Sequence, residues 1–139
     1  MKKSILIFFL VTAFMSCSKD EEETTIPQEL IGTWQFKGIY SHDVYDENNM
    51  PLYTPYENGA LTTYFENNTF THQLENVSYT GTFSVTNDMI LKLKYYQSST
   101  NSIIKSSDKI SKLTDNVLEI KCVSSDLCDT YRYEKVASN

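Results

Sequence analysis

From Leu30 to Val136 the apolar residues of this chain recur with period two, and no long stretch shows the helical period of about 3.6 residues. Alternation of this kind commits a chain to strands with one buried face and one wet face. The first strand expected is Leu30–Tyr40, LIGTWQFKGIY, which places Gly32, Trp34, Phe36, Gly38 and Tyr40 on one face. Short strands follow at 61–65, 69–75, 79–85, 89–96, 103–113, 117–122 and 128–136, each bounded by turn residues such as Glu66-Asn67-Asn68 or Thr86-Asn87-Asp88. The strand at 103–113 reads as weak, broken by Ser106-Ser107-Asp108.

Ser41–Gly59 has no sustained period and holds Pro51, Pro55, Asn48-Asn49 and Asn58-Gly59, so it is expected to be a long loop. About eight strands joined by hairpins, with one long early loop, suggest an all-β fold, an antiparallel meander barrel. Closure also removes the free edges that a flat sheet would offer for aggregation.

The segment ahead of the barrel has a different character. Lys2-Lys3, an apolar run from Ile5 to Met15 and the small residue Ser16 before Cys17 form a charged region, a hydrophobic region and a cleavage site. The run is short for a bilayer span, and no other is long enough to be one. Phe14-Met15-Ser16-Cys17 resembles the lipobox of bacterial lipoproteins. That resemblance implies lipid attachment at Cys17, whose acyl chains would hold the protein on a membrane. Ser18-Lys19 and the run Asp20–Glu23 resemble the export signal of surface-exposed lipoproteins of the Bacteroidota. The implied location is the outer membrane, at the cell surface, with a periplasm-facing anchor as the alternative. The domain boundaries expected are 1–16 for the signal peptide, 17–28 for the lipidated cysteine and a disordered acidic tether, and 29–137 for the barrel. The full chain carries a formal charge of −6, and losing Lys2 and Lys3 makes it more acidic. Charge-driven binding of nucleic acid is therefore not expected.

Gly32-Thr33-Trp34 at the start of the first strand looks like the G-x-W motif of lipocalins. LIGTW, YTGTFSVTNDMILKL, KISKLTDNVLEI and YRYEKV together resemble the small lipocalin-like domains of Bacteroidota lipoproteins over most of residues 30–136. The resemblance implies that Trp34 packs at the closed end of the barrel with an arginine of the last strand over it. Arg132 is the one arginine of the chain and lies in that strand. Parity leaves two arrangements open: either Arg132 faces inward, or Tyr131 and Tyr133 do. The long helix that follows the barrel in larger lipocalins has no counterpart in Ala137-Ser138-Asn139.

Cys122 and Cys128 flank the short segment VSSDL, where cross-strand neighbours come close enough for a structural disulfide. His42 with Asp43 and Asp46 lacks the ligand spacing of a zinc or calcium site, so no metal and no cofactor is expected. There is no G-x-S-x-G elbow and no paired-carboxylate pattern, and an enzyme is not expected. The 10 Tyr and 7 Phe are the remaining signal. They either fill the barrel or line a cavity built from Trp34, Phe36, Tyr40, Phe70, Phe83, Leu91 and Tyr95 with 41–59 as a lid. The first case makes the protein a surface accessory that meets a protein or glycan partner through its loops. The second makes it a binder of a small apolar or amphipathic ligand.

Overall fold

The computed structural model describes residues 25–123 and 127–137. The signal segment, Cys17 and the acidic run lie outside these. A 3-10 turn at Gln28–Leu30 leads into nine strands: β1 Gly32–Tyr45, β2 Pro51–Pro55, β3 Leu61–Tyr64, β4 Thr69–Leu74, β5 Val77–Val85, β6 Ile90–Gln97, β7 Ser102–Leu113, β8 Val117–Cys122 and β9 Thr130–Lys135. Neighbours in sequence pair antiparallel from β3 through β9, and β1 pairs with both β3 and β9. The eight strands β1 and β3–β9 thus close into an antiparallel barrel, with no α-helix among the described residues.

The long loop expected at 41–59 is largely a hairpin. β1 runs on to Tyr45, and β2 returns along it with Ile39 opposite Thr54 and Tyr40 opposite Tyr53. Asp46 closes the turn by accepting from the backbone N–H groups of Asn48 at 2.8 Å and Met50 at 2.9 Å. β2 and β3 lie on the same edge of β1, joined across the break at 56–60 by Tyr56 N–H donating to the Lys37 carbonyl and Phe36 N–H donating to the Ala60 carbonyl.

The register on the other side of β1 carries a β-bulge. Phe36 pairs with Tyr133, but Gly38 pairs with Arg132, so one residue is extra on β1. The bulge reverses parity. Trp34 and Phe36 face in, whereas Gly38 and Tyr40 share the outer face with Arg132 and Tyr53. Gly38 sits there at φ +155°, and an added Cβ would meet the Tyr53 ring at 2.7 Å.

The packed core fills the lower half of the barrel. Trp34, Phe70, Phe83, Val85, Leu91 and Leu118 are buried there. Leu30 plugs the base, and its carbonyl accepts from Trp34 Nε1 at 2.8 Å. The residue over the Trp34 ring is Lys135, with Nζ 5.0 Å from the centroid and donating to the Glu29 carbonyl at 2.7 Å. Arg132 stands outside, bonded to Glu119 at 3.3 Å, Glu134 at 3.1 Å and the Tyr40 hydroxyl at 3.3 Å. The expected closed-end pair of Trp34 with Arg132 is therefore replaced by Trp34 with Lys135, because β9 turns Tyr131, Tyr133 and Lys135 inward.

Candidate functional site

Above the packed floor the inner face turns polar and aromatic. Each antiparallel register pair places both members on one face, so the strand pairings identify the inner residues. Thr62 sits opposite His72, His72 opposite Tyr79, Leu91 opposite Asp108, and Ile120 opposite Tyr131. These positions surround a cavity of about 210 Å³ that forms a cup in the upper barrel. Its base is Tyr64, Phe70, Leu91 and Ile120. Its walls are Thr62, His72 and Tyr79 on one side, Leu93 and Asp108 on another, and Tyr131 and Tyr133 on the third.

The aromatic side chains are locked by one another. Tyr79 stacks on Tyr95 with centroids 4.4 Å apart and on His72 at 4.7 Å. Phe70 meets Tyr79 and Tyr95 edge-on at 6.3 and 6.1 Å, an arrangement favoured by the ring quadrupoles. Gly81 makes this possible, since a Cβ there would lie 2.7 Å from both Phe70 and Tyr95. Phe36 backs Tyr131 and Tyr133 with centroids 6.2 and 5.6 Å away.

Burial sets the charge state of the cup. Tyr79 is pushed up to about 12 by desolvation, reinforced by its neighbour Tyr95. Tyr64 and Tyr133 are also raised, chiefly by burial and with smaller contributions from nearby groups including Asp108. All three therefore stay neutral phenols. His72 is held below its ordinary value by burial, and its Nδ1 lies 2.9 Å from the Thr62 hydroxyl. Asp108 is raised by desolvation, which outweighs the opposing hydrogen bond from Ser106.

Of the lining expected from sequence, Phe70 and Leu91 do border the cup. Trp34 and Phe83 lie in the packed floor, Phe36 stands behind Tyr131 and Tyr133, and Tyr95 behind Tyr79. Tyr40 is on the outer face, because the bulge reverses the parity on which its expected place rests. Asp108, Tyr79 and Thr62 carry the cup's polarity and are absent from the lining expected from sequence. Their period-two relation to Ile110, Phe83 and Tyr64 is the signal that locates them.

The hairpin expected as a lid leans against the outside of the wall. Its residues Asp46, Met50, Pro51 and Tyr53 face Ser111, Glu119, Lys121 and Thr130 across a groove of about 540 Å³. Asp129 anchors it, accepting from the backbone N–H of His42 at 3.0 Å and contacting His42 Nδ1 at 2.8 Å. Asp129 follows Cys128, whose disulfide to Cys122 ties the β8–β9 connection. No metal-binding group of three or more His, Cys, Asp or Glu side chains occurs among the described residues. Nor is any described helix long and apolar enough to cross a membrane.

Two solved structures share this fold. A lipocalin-like protein from Bacteroides uniformis superposes with a TM-score of 0.57 at 14% identity, over 78% of this chain and 99% of that one. An uncharacterized protein from Bacteroides eggerthii superposes with a TM-score of 0.54 at 11% identity, over 77% of this chain and 99% of its own. At such identities the likeness is one of fold. No family model and no curated protein matches the sequence.

Proposed function

We propose that this protein is a small-molecule binding module held on the outer membrane by a lipid anchor at Cys17. The observation that carries the binding reading is the cup. It is closed below by Trp34 and Leu30, walled by locked aromatic side chains, and furnished with a few convergent polar groups. A barrel whose purpose were only to display loops would gain stability by extending the apolar core upward. Instead the upper half keeps His72, Asp108 and Thr62 on its inner face. The reading is non-enzymatic: the Thr62 hydroxyl, 2.9 Å from His72 Nδ1, is taken as a cross-strand contact that holds the imidazole and not as a nucleophile with its base. The lipobox-like sequence at Phe14–Cys17 supports the anchor, and the acidic segment after it supports display at the cell surface.

Native mass spectrometry of the full chain extracted from its own membrane tests the binding reading. The expected result is a co-purifying small mass, released by denaturation. A homogeneous apo mass, with no uptake of any small aromatic probe, would count decisively against it.

A second reading rests on the outer groove. Tyr40 and Tyr53, with ring centroids 4.8 Å apart, lie beside Glu119, Lys121 and Asp46, a mixture of aromatic faces and charged hydrogen-bonding groups suited to a glycan or a polar protein loop. Replacing Tyr53 with Ala should weaken such a partner and leave ligand uptake by the cup unchanged.

A further inference from the structure

The cup has an electrical character that its shape alone does not reveal. Asp108 is the one full charge among the eleven residues that line it. It lies on the inner face of β7, opposite Leu91 of β6 and Cys122 of the disulfide on β8. The lysines of the surrounding wall are all turned away from it. Lys92 and Lys94 on β6, Lys105, Lys109 and Lys112 on β7, and Lys121 on β8 occupy the alternate, outward register positions. Lys135 is inward but sits at the closed end, against Trp34. The nearest candidate for a positive charge, His72, is kept neutral by burial. The remaining lining is uncharged: the rings of Tyr64, Phe70, Tyr79, Tyr131 and Tyr133, with Thr62, Leu91, Leu93 and Ile120 between them.

We propose that the ligand of this cup is a small organic cation, an amine or quaternary ammonium, whose charge meets Asp108 and whose body lies among the rings of Tyr79, Tyr133 and Phe70. This inference rests on the binding reading above and narrows it. A carboxylate in a small space whose other lining carries no Lys or Arg attracts a desolvated cation by ion pairing, while the ring edges and apolar side chains around it pack against the ligand's body. The same arrangement repels an anion, so fatty acids and other carboxylates are excluded. The volume of about 210 Å³ admits on the order of ten non-hydrogen atoms. Tyr131, 42% exposed, stands at the upper end of the lining and leaves the ligand's path open to solvent.

The test compares three probes of nearly equal size: 2-phenylethylamine, 2-phenylethanol and phenylacetate. They are titrated calorimetrically into the full chain bearing Cys17→Ala, so that no acyl chain competes for the barrel. The amine is expected to bind at least tenfold more tightly than the alcohol, and phenylacetate not measurably. Asp108→Asn should remove the preference, leaving amine and alcohol within about twofold. Lowering the pH should weaken the amine as Asp108 takes up its proton. The other titratable groups facing the cup are His72 of β4, Tyr64 of β3, Tyr79 of β5, and Tyr131 and Tyr133 of β9. Burial raises Tyr64, Tyr79 and Tyr133, which stay neutral phenols on the acid side, so His72 is the group to be told apart from Asp108. Asp108→Asn combined with His72→Gln therefore identifies the source: a pH response that persists without Asp108 but disappears with His72 overturns the proposal. Equal binding of amine and alcohol, unchanged by Asp108→Asn, overturns cation selection and leaves a neutral-ligand binder standing. Failure of all three probes, together with an apo mass from native extraction, overturns both readings.

Discussion

A half-buried carboxylate among phenols is a cost to the folded chain unless something meets its charge. Burial raises the Asp108 pKa, so the folded chain keeps this proton to a higher pH than the unfolded chain does. Stability is then lost as pH rises from the ordinary carboxylate value through the raised one. Asp108→Asn should accordingly melt at a higher temperature than the native chain at pH 7 in the absence of ligand. The gap should close towards pH 3, where both side chains are neutral. Thermal melts followed by circular dichroism at several pH values check this, and an equal or lower melting temperature at pH 7 would refute it. His72 acts in the opposite sense. Its folded pKa is lowered by burial, so its contribution is present above about 6.5 and is lost as pH falls through that unfolded value. His72→Gln should flatten the fall in melting temperature between pH 7 and pH 5. At the closed end, Lys135→Met removes the cation over Trp34 and should cost about 0.5–1 kcal/mol at this partly exposed site. Guanidinium unfolding followed by Trp34 fluorescence measures it.

At the scale of elements, β1 decides where the functional surfaces fall. Its bulge between Phe36 and Gly38 sends the lower part of the strand into the core and the upper part onto the outer wall. Gly38 permits the arm to pack, since its φ of +155° and the Tyr53 ring 2.7 Å from where a Cβ would stand leave no room for a side chain. Gly38→Ala should cost about 1–3 kcal/mol through backbone strain and displacement of Tyr53. It should also make the arm, residues 41–56, the first site of limited proteolysis. Resistance of the arm in that variant would show that Tyr53 and the Asp129–His42 contact hold it unaided. The same element shows what alternation can and cannot disclose. Strands β4, β5, β6 and β8 are legible because their apolar residues keep parity, as in Tyr79, Phe83 and Val85 of β5. β1 is legible only to Phe36, because one extra residue shifts parity without leaving any mark in composition. β7 looks broken at Ser106-Ser107-Asp108, since polar residues in a strand resemble a turn when both faces are polar. The strand in fact runs unbroken, with Leu93 opposite Ser106 and Leu91 opposite Asp108. The cup is hidden for the same reason: the residues that make it useful are those that interrupt the hydrophobic pattern.

The whole molecule has a direction. The 3-10 turn at Gln28–Leu30 and the partly buried Ile26 pack against the core at the closed end, so the described chain enters the barrel at its base. The cup opens at the opposite end, beside the β4–β5 turn at Glu75-Asn76 and the disulfide-tied β8–β9 connection. Under the proposed anchoring at Cys17, the lipid joins the chain ahead of the base and the mouth lies at the opposite end of the barrel, so we propose that a ligand enters from the surrounding medium. Two substitutions separate the parts of this arrangement. Cys17→Ala should move the protein from the membrane fraction to the soluble fraction while leaving its melting temperature unchanged, because the proposed anchor lies outside the barrel that melts. Protein that stays with membranes after a carbonate wash would refute the anchor. A short epitope inserted between Glu75 and Asn76 reports the side of the membrane. Both residues are exposed at the mouth end, and Glu75 already adopts a turn conformation with φ 48°. On intact cells the epitope should bind antibody to the same extent as on cells with a permeabilised outer membrane. Binding that appears only after permeabilisation would place the cup in the periplasm, where its ligand must first cross the outer membrane.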